Sequence, residues 1–360
     1  MYKAVLKKAI IAAVATAFVA GAAAACSGGS TSSNGLPKVT LMVGGIDKQI
    51  YLPYELAQNL GFYQKYGVDV ELSTEQAGGV GAEDAMVSGQ VDMAGAWYVH
   101  AIDYQVKGKG VEDIVQLSGA PGERVMCATG ENIHSAAGFR GKTVGVTDLG
   151  SGTDTLTQYL AAKAGLSTKD FTRIAVGDGS TAVSALQNHK ADCVMTTQPT
   201  VNAIVKKGVG YAAIDVATTV GVQGALGGAL PSAGILARTD WVNSNKDTAQ
   251  KVVDALVATM HWISTHTATD IANALPASYT TNKLVTKADY IAGLTQDKTQ
   301  FLPDGIMPAG GPKTVLGEEE LVGHATASVN LGTTFTNEFA IAANKLEGFT
   351  TTSNPAGADG

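Results

Sequence analysis

Residues 142–155, KTVGVTDLGSGTDT, read as a strand, a glycine-rich loop and the first turn of a helix. The run 143–146 is β-prone, and Leu156, Tyr159 and Leu160 share one helix face at i, i+3, i+4 spacing. A helix start leaves N–H groups without partners and carries partial positive charge, and Gly150 and Gly152 let a ligand approach the backbone. With Ser151, Thr153 and Thr155 as hydroxyl donors or caps, the stretch is a candidate anion site. An ordinary capped βα turn is the alternative.

The same plan occurs twice. Upstream, a strand at 38–43 leads through the loop GGIDKQIY to a helix ended by Gly61, then a strand at 68–72, a Gly78-Gly79 loop, a helix closed by Gly89 and a strand from Val91. Downstream, the strand at 143–147 leads to the glycine loop and a helix ended by Gly165. A strand at 171–176, the loop Gly177-Asp178-Gly179-Ser180, a helix at 182–188 and a strand at 191–195 follow. SGQVDMA and NHKADCVM put Asp92 and Asp192 in matching places, 100 residues apart (192 − 92). Two βαβαβ units imply an α/β fold of two doubly wound lobes.

The chain crosses into the second lobe within 119–134 and returns near 224–238. The expected division is lobe one at 37–118 plus 225–345, lobe two at 119–224, and a disordered tail at 346–360. Ser244 and Asp247 have capping-box spacing, and Val253, Leu256, Val257, Met260 and Ile263 line one helix face. Helical stretches around 268–275, 286–297 and 317–328 are expected to pack on the first lobe.

With 45% hydrophobic and 16% charged residues, the 360-residue chain has the means for two domains with large cores. Lys3, Lys7 and Lys8 precede an apolar Ala-rich run, 9–25, that ends in small residues before Cys26. The pattern resembles a lipoprotein signal peptide with Cys26 as the lipidated residue, and 27–34 (SGGSTSSN) reads as a tether within 26–36. An ordinary secretory peptide is the alternative. The net charge of −7 becomes about −10 without the three leader lysines (−7 − 3), which disfavours nucleic acid as a partner. No later run has the length of a membrane span. Cys127 and Cys193 lie in short apolar runs and read as buried small hydrophobes, with a disulfide left open for an oxidising compartment. No metal-ligand spacing is present, and neither metal nor cofactor is expected.

These motifs together resemble the solute-binding proteins of ABC importers, in the group that binds nitrate, taurine, aliphatic sulfonates and thiamine-pyrimidine precursors. The resemblance rests on 61–71 (GFYQKYGVDVE), 88–92 (SGQVD), 139–146 (FRGKTVGV), 150–152 (GSG), Asp192 with Gln198-Pro199, and 304–308 (DGIMP). It implies the type II periplasmic-binding-protein fold, a ligand held in the hinge cleft by lobe closure, delivery to a permease, a monomer outside the cytoplasm, and no catalysis. The cysteine-rich signature of the pyrimidine-synthesising relatives is absent, and so is a G-x-S-x-G elbow.

Ligands of open α/β sheets bind at the carboxyl ends of the strands. The expected contacts are therefore Gln49, Tyr51, Gly79, Ala96 and Trp97 from lobe one, and Gly150, Ser151, Gly152, Thr153, Thr197 and Gln198 from lobe two. Ser151, Gly152 and Thr153 would hold an anionic head group, and Trp97 would stack on an organic body. Asp47, Asp148 and Asp154 lie in or beside these loops and weigh against a simple inorganic anion. A sulfonate, a taurine-like zwitterion, a carboxylate and a pyrimidine all remain open, as does a sensor on the same fold.

Overall fold

The first strand, β1 (Lys38–Val43), buries Val39, Leu41 and Val43 and leaves the alternate residues half-buried, as one face of a sheet requires. The computed structural model describes residues 32, 35–75, 79–325, 328–351 and 355–357. Its strands continue with β2 (Asp69–Thr74), β3 (Met93–Trp97), β4 (Val111–Gln116), β5 (Glu123–Ala128), β6 (Thr143–Val146), β7 (Thr172–Ala175), β8 (Cys193–Thr197), β9 (Gly210–Val216) and β10 (Ala233–Arg238). They form two five-stranded sheets, in the orders β2-β1-β3-β10-β4 and β7-β6-β8-β5-β9.

Each sheet has three parallel strands from one βαβαβ unit, and each is extended by a strand that runs the other way. β10 lies antiparallel to both β3 and β4, and β5 lies antiparallel to both β8 and β9. The antiparallel strand follows the crossing from the other lobe, which gives the joined lobes two connections, at 117–122 and 217–232. The matched aspartates have one job. Asp92 Oδ2 accepts from Thr40 N–H (2.8 Å) and Asp192 Oδ2 from Thr143 N–H (2.7 Å), so each pins the first strand of its βαβαβ unit.

Several elements depart from the sequence reading. Cys127 and Cys193 face each other across the β5–β8 ladder and form a disulfide, because register pairs them directly. Ser244 caps nothing; its hydroxyl donates to Asp240 O and closes the short helix Thr239–Ser244, and the long helix Lys246–Thr265 starts after Asn245. The capping boxes are instead Thr267 with Asp270 and Thr286 with Asp289. The helices Lys287–Asp297 and Gly311–Val322 do not pack on the first lobe alone. Lys206 pairs with Asp289 (2.7 Å), Lys163 with Glu318 (3.0 Å), and Tyr159 hydrogen-bonds Glu319. The tail expected to be disordered docks over 355–357: Pro355 bridges Pro308, and Ala356 N–H donates to Met307 O (3.0 Å). Cys26 lies outside the described residues, among which no helix is long and apolar enough to cross a membrane.

Candidate functional site

The loops after β1 and β7 face each other across the lobes and, with 282–284, enclose a cavity of ≈ 660 Å³. Lobe one contributes Gly45, Asp47 and Lys48, and lobe two contributes residues 176–181. Lys48 is buried and donates from Nζ to Gly44 O (2.9 Å). Asp178 Oδ1 accepts from the hydroxyls of Thr196 (2.6 Å) and Thr200 (2.9 Å). Behind these two charges sits Glu123, the first residue of β5, only 2% exposed. Burial pushes its carboxyl well above the usual range and Asp178 adds to the shift, against the pull of Lys48 and Arg124.

Some expected contacts do meet between the lobes. Gln49 N–H donates to Gln198 O (3.0 Å), joining the loop after β1 to the loop after β8. Gln49 Nε2 donates to Tyr290 O (2.7 Å). Trp97, at the end of β3, lies on the α-carbon of Gly152, where an added Cβ would come within 2.4 Å of the indole. The Tyr51 hydroxyl has its pKa raised by burial and then by Glu83, Glu123 and Glu75, with the Trp97 N–H pulling the other way. Between Trp97 and the helix Gly152–Lys163 only ≈ 10 Å³ of space is left, about one water at most. This seam is closed.

Others are turned to structural work. Ala96 is fully buried in the β3–β10 ladder, opposite Gly234. Thr197 donates its hydroxyl to Gly122 O (2.7 Å) instead of facing the cavity. Gly79, at φ 109°, starts the helix Val80–Val87, and its N–H goes to the Glu75 carboxylate. Gly78 is outside the described residues.

The expected anion pocket is filled from within. The hydroxyls of Thr147, Ser151 and Thr153 are buried and bonded to one another at 2.8, 2.9 and 3.0 Å. Ser151 also caps Asp154 N–H, and Thr153 Oγ1 accepts from Thr147 N–H (3.0 Å). Asp154 supplies the negative charge that a helix start favours: Oδ2 accepts from Gly150 N–H (2.9 Å), and Arg173 pairs with the carboxylate. Asp148 folds back onto Leu149 N–H.

The sequence reading missed three acidic groups. Glu123 opens a crossing strand, Asp178 sits in a loop noted only for its glycines, and Glu83 lies inside a helix. Glu83 Oε1 is 3.3 Å from His100 Nε2 without the alignment of a hydrogen bond. Burial lifts Glu83 to about 8 against the pull of His100, and His100 rises to about 9 because Glu83 and Asp103 outweigh the cost of burying its charge. Only the sheet topology brings Glu83 and Glu123 near Tyr51, and Asp178 near Glu123. Among the described residues, no group of three or more His, Cys, Asp or Glu is arranged to hold a metal.

The model of the family described as NMT1/THI5 like matches residues 50–269. A Bacillus subtilis (strain 168) relative named as a binding protein, YtlA, is 23% identical over 227 residues, which span 62% of this chain and 66% of that protein's length. A solved structure from Bordetella bronchiseptica RB50 is 30% identical with a TM-score of 0.80, over 86% of this chain and 98% of that one. The periplasmic nitrate-binding protein NrtA of Synechocystis PCC 6803 is 18% identical with a TM-score of 0.66, over 86% of this chain and 89% of that one. With two α/β sheets joined by two crossings and a family match across both, the chain belongs to the NMT1/THI5-like family and has the periplasmic-binding-protein fold.

Proposed function

We propose that the chain is the extracytoplasmic solute-binding component of an ABC importer. It captures a small organic solute between its lobes and hands it to a membrane permease. The observation that carries this reading is the seam itself. Gln49 of one lobe is bonded to Gln198 of the other, and Trp97 of one lies on Gly152 of the other, at the carboxyl ends of the strands where open α/β sheets take ligands. Contacts made by both lobes are satisfied only when the lobes are together, so a solute that touches both shifts an open–closed equilibrium toward the closed form. Binding and closure suffice for this role, and we assign the chain no catalytic step. The solute-facing residues are Gln49, Tyr51 and Trp97 from lobe one and Gln198 from lobe two. Anchoring is through Cys26, and the protein works as a monomer.

The test is a thermal-shift screen of the purified protein against sulfonates, nitrate, taurine, aromatic carboxylates, pyrimidines and amines. A solute at 100 times its Kd adds about 2.7 kcal/mol, which raises the Tm by several degrees. One responding class names the solute. A flat response to every class counts against import and for a sensor of another ligand on the same fold. Separately, Cys26→Ala releases the protein from the membrane fraction if Cys26 is the anchor, and retention refutes the anchor.

A further inference from the structure

A chain of ionisable side chains crosses between the lobes at the helix Gly311–Val322. Glu319 is fully buried there, between Tyr159 of lobe two and Asp103 of lobe one. The Tyr159 hydroxyl donates to Glu319 Oε1, and His324 Nδ1 lies at ion-pair distance, 3.3 Å, from Oε2. On the lobe-one side Asp103 Oδ2 is 3.2 Å from His100 Nδ1, and His100 Nε2 is 3.3 Å from Glu83. Beside this chain Lys163 of lobe two pairs with Glu318 (3.0 Å). His324 has 38% of its side chain in solvent, so a proton can reach the chain from outside.

A carboxylate buried this completely needs a positive partner. Among the described residues His324 is the cation in ion-pair contact with Glu319, whereas Lys163 is paired with Glu318, and His100 with Glu83 and Asp103. With His324 protonated, the Glu319 charge sits between an imidazolium and the Tyr159 hydroxyl, in a charge-assisted bond that spans the lobes. With His324 neutral, the same charge faces Asp103 without that counter-ion. The titratable groups around Glu319 are His324, Asp103, Tyr159 and His100; those around Tyr159 are Glu319, Asp103 and Glu318. Around His324 they are Glu319, Asp103 and Asp154. Glu319 first, then Asp103 and Asp154, hold its proton above the ordinary 6.5 against the cost of partial burial.

We propose that His324, Glu319 and Tyr159 form a proton-dependent latch, which holds the two lobes together when His324 is protonated and lets them part when it is not. This rests on the moving lobes of the reading above and adds their regulation. Opening separates the Asp103 side from the Tyr159 side, so water reaches Glu319 and replaces the imidazolium as its partner. The closed form therefore binds the His324 proton more tightly than the open form. Its advantage is full below the open form's midpoint and is lost as pH rises through the closed form's midpoint. Solute is held tightest on the acid side.

The test needs no solute. Proton NMR follows the His324 ring in the purified protein across pH, its signal assigned by its loss in His324→Gln. The same titration is run on Gly152→Ala, whose added methyl meets the Trp97 ring and holds the seam apart far from His324 in sequence. Proton binding and closure are reciprocal, so the His324 midpoint drops in Gly152→Ala by about half a pH unit or more, a three-fold or larger loss of proton affinity. Small-angle scattering from about pH 5.5 to about 8.5 supplies the second readout. The radius of gyration of the wild type rises across this range, and those of His324→Gln and Tyr159→Phe stay level. A His324 midpoint unmoved by Gly152→Ala overturns the latch. So does a wild-type radius that ignores pH, or one that rises equally in His324→Gln. Because no solute is present, a failed latch leaves solute capture standing, while a chain that closes with pH but answers no solute fails the import reading alone.

Discussion

Gly152 has no room for a side chain, since the Trp97 ring occupies the space a Cβ would take. Gly152→Ala should therefore hold the lobes apart at this point. Overpacking of this kind costs about 1–3 kcal/mol, here charged to the closed form, so solute affinity should fall about ten-fold or more while urea unfolding changes little. Equal affinity would show that Trp97 moves freely. The pair Glu83 and His100 makes a pH prediction. Both hold protons in the folded chain beyond the range of the unfolded one, His100 to about 9 against an ordinary 6.5 and Glu83 to about 8 against 4.5. A raised pKa gives stability that is fully present at low pH and is lost as pH rises through the folded value. Stability should fall from about pH 4.5, where unfolded Glu83 begins to lose its proton, to about 9, where folded His100 loses its own, and His100→Phe with Glu83→Leu should flatten the fall in denaturant titrations across that window. Much of the seam was legible as sequence: Gln49, Trp97, Gly152 and Gln198 were all assigned to loops at strand ends. Glu123 was not, because what singles it out is an unpartnered oxygen, and that depends on which chain segments surround it.

The repeated strand–loop–helix plan read correctly because each copy carries its own signals, glycines after helices and apolar runs of strand length. Asp92 and Asp192 were visible as a matched pair before their role was, since pinning β1 and β6 by hydrogen bonds to Thr40 and Thr143 is a cross-strand fact. Asp192→Ala should cost about 1–3 kcal/mol in chemical unfolding by orphaning the Thr143 N–H. No loss would mean that water takes the aspartate's place. The disulfide was left open for a similar reason: Cys127 and Cys193 are 66 residues apart in the chain, and only the antiparallel placement of β5 beside β8 pairs them. Replacing both with Ser should destabilise the second lobe by about 2–4 kcal/mol, read as a lower urea midpoint. The hydroxyls of Thr147, Ser151 and Thr153 show the limit of a local motif. The loop has the composition of an anion site, yet its own Asp154 and its mutual hydrogen bonds occupy it.

At the scale of the whole molecule, the two lobes are linked by more than the two crossings. Arg124 of β5 is held bidentate by Asp297 at the end of the helix Lys287–Asp297, and the helix Gly311–Val322 reaches the second lobe through Glu318 and Glu319. The C-terminal helices thus act on both lobes, which their sequences could not reveal, since an amphipathic face says that a helix packs but not on what. These helices also meet the seam: Gln49 Nε2 donates to Tyr290 O, and Val315 lies with Tyr159 beside Trp97 and Gly152. The most direct test is small-angle X-ray scattering of the purified protein with and without the solute that responds in the thermal-shift screen. A smaller radius of gyration and a narrower distance distribution on binding are predicted, with both changes weakened in Gly152→Ala. Identical scattering curves at saturating solute would contradict capture by lobe closure.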